Sequence, residues 1–210
     1  RGRDASGEEA AVEADLAVHG AGRVPNLEGL DLEAGGVAFG KRGVTVDETM
    51  RSTTNPAVYA AGDCADCGAP MLTFTAQSTA LAVAKNLLGQ GPAKPGFKGQ
   101  ASVAFTIPAI GRAGMLEEEA LAAGRDVQVN FAETTRWFTN RHMAEGAGGY
   151  KVILDKETDE ILGAHFLAHH CEEFVNVFAL AIRHGITRAG MKETLWAHPS
   201  AGSDLPRILG

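Results

Sequence analysis

Three short stretches of this 210-residue chain hold residue types that do chemistry. The first is Thr54-Asn55-Pro56-Ala57-Val58-Tyr59-Ala60-Ala61-Gly62-Asp63, in which an apolar run delivers a carboxylate one residue past a glycine. A glycine there lets a flat ligand or its sugar chain approach the backbone, because no Cβ stands in the way. Asp63 can accept hydrogen bonds from two hydroxyls, as acidic groups do for ribose in dinucleotide folds. Taken alone, the same Gly-Asp pair reads as an ordinary strand-end turn. The second stretch is His198-Pro199-Ser200-Ala201-Gly202-Ser203-Asp204, a histidine beside a rigid proline with an acid close by. Such a pair can act as an oriented acid and base. With seven histidines in the chain, an ordinary surface histidine is the plainer reading of that segment alone. The third is Cys64 and Cys67, whose C-x-x-C spacing suits a redox pair or half a zinc site. No second C-x-x-C completes a zinc set, and the loop is not a helix start that would lower a thiol pKa. Two reduced loop cysteines are therefore expected. Cys171 makes the count odd, which argues against a disulfide framework. His169 and His170 precede Cys171 and Glu172, but adjacent side chains diverge along one element, so no metal site is expected.

The elements that must position these residues follow from periodicity and breakers. Residues 1–10 are polar and small and are expected to fray. Residues 14–19 read as a short strand, ended by the breaker run Gly20 to Asn26. A strand there without a neighbour would leave an unpaired edge. Residues 37–39 and 44–46 predict a hairpin around Gly40-Lys41-Arg42-Gly43. Residues 58–61 predict a buried strand, and residues 75–88 a helix with Ala76, Thr79, Ala80, Val83 and Leu87 on one side. A Gly, Pro and Lys-rich crossover covers 89–99. Beyond it, strands are expected at 102–105, 127–132, 150–155 and 161–166, with a further one at 136–142. Helices are expected at 116–123, 172–184 and 188–195. Strands followed by a helix pair suggest an α+β domain with an antiparallel sheet.

In context, residues 53–63, which include this stretch, match the pattern T-x-x-x-x-V-Y-A-x-G-D at every fixed position, the second flavin-binding motif of the two-dinucleotide-binding-domain flavoproteins. The chain resembles the carboxyl-terminal part of the glutathione reductase and dihydrolipoamide dehydrogenase family, the pyridine nucleotide-disulfide oxidoreductases. The resemblance implies that Gly62 and Asp63 hold the ribityl chain of FAD. It also implies that the helix start at Leu72, Thr73 and Phe74, similar to the family's L-T-P segment, faces the flavin N1/O2 edge. A helix N-terminus there would stabilise negative charge on reduced flavin. The chain departs at Phe74, where proline is usual, and at Ser78-Thr79-Ala80, where E-G-R is often found.

Gly22-Arg23-Val24-Pro25-Asn26 resembles the family's crossover from the NAD(P) domain. Val103-Ala104-Phe105-Thr106-Ile107-Pro108 resembles the opening of its dimerisation domain. Ile161 to His165 and Glu173 to Ile182 resemble that domain's I-L-G-A-H strand and its helix, and Trp137 and Arg141 its W-x-x-x-R segment. The tail resembles H-P-T-x-x-E, which implies that His198 is the acid/base for the redox thiol at the partner subunit's flavin. The orienting glutamate is replaced by Ser203, and the acid follows as Asp204.

The implied architecture is α/β and α+β: a partial FAD-binding domain, then an α+β dimerisation (interface) domain with an antiparallel sheet and helices. Residues 1–23 would end an NAD(P)-binding domain, 24–98 belong to the FAD-binding domain, and 99–210 form the dimerisation domain. The implied parent is an FAD- and NAD(P)H-dependent enzyme of redox homeostasis, working as a homodimer. No G-x-G-x-x-G follows a strand and no C-x-x-x-x-C occurs, so the amino-terminal half is expected to be missing, with the piece incompetent alone and carrying little or no FAD. A stand-alone dimerisation module without flavin is the alternative. Mercuric reductase is disfavoured because the tail ends Ile208-Leu209-Gly210 without that enzyme's cysteine pair. The net charge of −7 and the lack of basic runs argue against nucleic acid and anionic membranes. No apolar stretch suits a membrane span, and a cytoplasmic location is expected.

Overall fold

The computed structural model describes residues 2–3, 6–11 and 13–210. The chain divides into two units, 1–94 and 95–210.

In the first unit, β1 (Gly2–Arg3) and β2 (Glu9–Ala10) pair antiparallel, so part of the end expected to fray forms a small hairpin. Arg1, Asp4 and Ala5 of that stretch, and Val12, lie outside the described residues. Residues 14–19 are not a strand: the segment is irregular, with Leu16 and Val18 exposed. A period-2 apolar pattern becomes a strand only where a neighbour satisfies its backbone, and no described residue does so here. The expected hairpin is present as β3 (Phe39–Gly40) and β4 (Gly43–Thr45), in register Phe39↔Val44. β5 (Ala65–Asp66) lies parallel to β4. Gly43 has φ +126°, and a Cβ there would lie 2.5 Å from the Cys64 carbonyl, so only glycine permits this approach.

The strand expected at 58–61 is reduced to an isolated bridge, Arg51↔Tyr59. Asn55 and Pro56 make a tight turn there, with Val58 N–H donating to Asn55 O, which leaves room for only a few pairings. The expected helix is α1 (Thr73–Leu87). Its buried side is Thr75, Thr79 and Ala82, while Ala80 and Leu87 are exposed. The stripe is thus rotated about the expected Thr79, with Thr75 and Ala82 facing inward in place of Ala80 and Leu87. Val37, Val44, Met50, Ala60, Ala65 and Ala82 form this unit's small core.

The second unit is built on one antiparallel sheet of order β6-β7-β10-β9-β8. The strands are β6 (Ala101–Ala104), β7 (Ala109–Gly114), β8 (Val127–Glu133), β9 (Gly149–Asp155) and β10 (Ile161–Ala168). Between β7 and β8 runs α2 (Glu117–Ala122), closed by Gly124 at φ +75°. The strand expected at 136–142 is instead a helical turn, α3 (Phe138–His142). Asn140 explains it: buried, its amide donates to both the carbonyl and the hydroxyl of Thr134, which curls the chain back.

β7 is an unexpected strand, since Ala-Ile-Gly-Arg-Ala-Gly carries too much glycine to read as one. The glycines are needed because α4 (Cys171–His184) lies directly on it. A Cβ on Gly111 would meet Cys171 Sγ at 3.1 Å. Cys171, Phe174, Val175, Phe178, Ala181 and Ile182 make the buried face of α4, with the spacing of a 3.6-residue period. Phe166, Phe174 and Phe178 meet with ring centroids 4.9 to 5.5 Å apart and form the centre of the core. Burying a side chain such as Phe178 contributes about 1.5–3 kcal/mol. Glu172 and Glu173 in the first turn of α4, and Arg183 and His184 in the last, complement the helix dipole. Gly185 ends it at φ +65°. The chain closes with α5 (Arg188–Glu193), a 3-10 turn at Ala201–Asp204 and α6 (Leu205–Ile208).

Candidate functional site

Gly62 and Asp63 open a 3-10 turn, Gly62–Cys64, packed against α1. Gly62 has φ +71°, and a Cβ there would touch the Ala76 Cβ at 3.4 Å. The small side chain of Ala76 therefore matters as much as the missing side chain of Gly62. The Gly62 N–H donates to Thr79 Oγ1 at 2.9 Å, and the Thr79 hydroxyl is itself anchored to the Thr75 and Ala76 carbonyls. Thr79 is fully buried. It stands in the segment where the chain departs from its resembled family, so only its place in a run of small residues hinted at a role.

Asp63 is exposed, and among the described residues no hydrogen bond or ion pair claims its carboxylate. Leu72 occupies the cap position of α1 and offers no side-chain oxygen to the first N–H groups of the helix. Phe74 is 79% exposed, with its ring turned out of the core. The structure therefore brings Gly62 and Asp63 beside α1, whose first turn carries Thr73 and Phe74. Cys64 and Cys67 are free thiols, and Cys64 Sγ donates to the Ala61 carbonyl at 3.2 Å.

His198 lies in the loop between α5 and the final 3-10 turn and is exposed. The tail around it is firmly docked. Leu205, Ile208 and Leu209 are buried, Asn130 Nδ2 donates to the Leu209 carbonyl at 2.9 Å, and the Arg207 guanidinium lies 4.1 Å from the Trp137 ring centre. Trp137, expected from the W-x-x-x-R resemblance, thus anchors the tail. The structure does not bring Asp204 to His198. The Asp204 carboxylate accepts the Thr139 hydroxyl at 2.6 Å instead. Ser203 donates to the Ser200 carbonyl, closing the local turn on itself. The ring beside His198 belongs to Phe138, at 6.0 Å between centroids. Neither Phe138 nor Thr139 was legible in advance, because their partners lie some sixty residues away in sequence.

Two other histidine sites are instructive. The rings of His169 and His170 converge at 3.9 Å, edge to face, although adjacent side chains were expected to diverge. His170 adopts φ +56°, which breaks the regular alternation. Among the described residues no group of three or more potential ligands suits a metal ion. His165 is half-buried on the sheet face away from α4, with its ring nitrogen 3.1 Å from the Met115 carbonyl and Arg112 and Lys151 directly opposite on the flanking strands. Burial first, and then those two cations, lower its pKa.

No helix among the described residues is long and apolar enough to cross a membrane. Residues 100–207 match the family model "Pyridine nucleotide-disulphide oxidoreductase, dimerisation domain", and residues 3–80 match "Pyridine nucleotide-disulphide oxidoreductase". The chain is 38% identical over 180 residues to an "Uncharacterized 19.7 kDa protein in mercuric resistance operon" of Staphylococcus aureus, covering 86% of this chain and 100% of that protein. It is 32% identical over 187 residues to a mercuric reductase of the same organism, covering 88% of this chain but 33% of the reductase. Mercuric reductase, disfavoured on the sequence alone, is thus among the relatives. The HOCl-induced flavoprotein disulfide reductase RclA of Escherichia coli superposes with a TM-score of 0.77 at 26% identity, over 90% of this chain and 43% of that structure. The antiparallel five-stranded sheet under α4 therefore agrees with the match of residues 100–207 to the dimerisation domain. This chain belongs to the pyridine nucleotide-disulphide oxidoreductase family, with part of that family's FAD-binding domain followed by its dimerisation domain.

Proposed function

We propose that this chain supplies the second flavin-binding segment, the homodimer interface and the acid/base His198 to an FAD-dependent NAD(P)H oxidoreductase of disulfide type. The observation that best supports this is the unclaimed Asp63 carboxylate one residue past the Gly62 turn, beside the uncapped start of α1. These residues fit FAD. Gly62 leaves room for close approach, Asp63 would bind ribityl hydroxyls, and the N–H groups at Thr73 and Phe74 would face the polar edge of the ring. When bound, the flavin would supply two-electron transfer between NAD(P)H and the acceptor. His198 would hold the proton that leaves a thiol and return it to the departing thiolate. Asp204 would serve this step by steadying the tail through Thr139.

In the assembled enzyme, His198→Ala is expected to slow electron transfer to the disulfide far more than flavin reduction by NAD(P)H. Equal losses in both half-reactions would refute the acid/base role.

A second reading is favoured by the 19.7 kDa relative, which this chain matches over that protein's whole length. In it, the chain acts as a dimerising module with neither flavin nor turnover. Light scattering combined with a flavin titration separates the two. A dimer that quenches FAD fluorescence, and loses that quenching in Asp63→Ala, supports the first; a dimer that leaves FAD fluorescence untouched supports the second.

A further inference from the structure

We infer that Phe138 is the positioning residue of His198, holding the imidazole by a ring–ring contact, while the Asp204 carboxylate acts on the helix that carries Phe138 and not on the histidine. The inference rests on the reading of His198 as the proton carrier.

The geometry divides the labour between neighbours on α3. Phe138 meets the His198 ring at 6.0 Å between centroids, the planes inclined by 33°. It also stacks on His142 at 5.8 Å, with planes 14° apart. Thr139, the next residue, donates to Asp204 Oδ2 at 2.6 Å. α3 thus grips the tail at two points, one at His198 before the 3-10 turn and one at Asp204, the last residue of that turn. Ser203 cannot substitute, since its hydroxyl is committed to the backbone of Ser200. Among the described residues no hydrogen bond reaches either ring nitrogen of His198.

This arrangement differs chemically from a carboxylate at the ring edge. A carboxylate bonded to one nitrogen fixes both the direction of the ring and its tautomer. An aromatic neighbour fixes direction alone and leaves both nitrogens open to a proton. His198 is therefore held for proton exchange without being committed to one nitrogen.

Histidine-labelled NMR of the full chain tests this. In the wild type, an NOE is expected between the Phe138 ring and the His198 imidazole, with the His198 carbon-bound protons displaced upfield by the ring current. Phe138→Leu should abolish that displacement, and Phe138→Tyr should retain it. Thr139→Val and Asp204→Ala should reduce it equally, because each breaks the same hydrogen bond. Unchanged His165 resonances report that the sheet is intact in each variant, and the wild-type NOE decides the matter without any substitution. Absence of that NOE, or no effect of Phe138→Leu, would overturn the inference. So would a displacement that Asp204→Ala removes and Thr139→Val preserves, since that is the signature of a direct carboxylate contact. The resonances read ring placement only, so they fail or hold independently of whether His198 proves to carry protons in the disulfide half-reaction.

Discussion

The backbone N–H of Gly62 donates to Thr79 Oγ1 across 2.9 Å, which ties the turn presenting Asp63 to the second turn of α1. Both partners are needed, because a part-buried N–H that loses its acceptor carries a desolvation cost. Thr79→Val keeps the shape and removes the acceptor. It is expected to destabilise the first unit by about 1–3 kcal/mol, with Thr79→Ser much milder. Both tryptophans, Trp137 and Trp196, lie in the second unit, so fluorescence would miss this change. Hydrogen exchange at the Gly62 amide reads it directly. Unchanged protection in Thr79→Val would show that the bond has no energetic weight.

The packing of α4 on β7 gives a second prediction. A side chain at Gly111 meets Cys171 Sγ at 3.1 Å and Val175 Cβ at 3.4 Å. Gly111→Val is expected to cost about 1–3 kcal/mol by overpacking, visible in urea unfolding followed by tryptophan fluorescence. The milder Gly111→Ala should recover part of its loss when combined with Cys171→Ala, which removes the nearest atom. No recovery in the double variant would show that the clash lies with the backbone of α4 instead.

His165 should make stability fall on mild acidification. Burial lowers its pKa in the folded chain, Arg112 and Lys151 lower it further, and the Met115 carbonyl and Glu118 oppose them. A depressed folded pKa means that the folded state holds the proton less well than the unfolded one. Its contribution is complete above the unfolded value of about 6.5 and shrinks as pH falls below it. Urea midpoints measured across that range should slope downward with acid, and His165→Gln should flatten the slope. An unchanged slope in His165→Gln would assign the effect elsewhere.

A separate acid limb belongs to Asp155. Its Oδ1 accepts the Thr158 N–H at 2.8 Å and the Thr158 hydroxyl at 3.0 Å, and its Oδ2 accepts Arg125 Nε at 2.6 Å. Chiefly through Thr158 and then Arg125, its pKa is lowered to about 2. The unfolded carboxyl titrates near 3.9, so the stabilisation is full above about pH 4 and is lost as pH falls toward about 2. Asp155→Asn should remove that limb from an acid-unfolding curve while leaving the His165 slope in place. A curve with the same acid limb in Asp155→Asn would contradict this assignment.

Much of the fold was legible because local pattern and local structure agreed. Cys171, Phe174, Val175, Phe178, Ala181 and Ile182 repeat at the helical period, and Gly185 marks the stop. β9 and β10 carry β-branched and aromatic residues around a turn that Asp155 itself nucleates. β7 was hidden because its glycines reflect what α4 places above them, and no window along the strand contains α4. Residues 136–142 became helix because buried Asn140 bonds back to Thr134. Residues 14–19 have strand character with no described partner to pair with.

The site divides along the same line. The sequence by itself determined the helix after Gly62-Asp63 by its periodicity, and marked Gly62-Asp63 and the histidine-proline tail through their resemblance to family motifs, because each is a contiguous segment that can be compared as a string. Only the tertiary structure decided that Thr79 secures Gly62, that Thr139 takes the Asp204 carboxylate, and that Phe138 lies against His198. Those pairings join residues from 17 to some sixty-five positions apart. Hydrogen bonds and ring contacts are set by distance in space, and that distance is created by the packing of α1 against its turn and of the tail against α3.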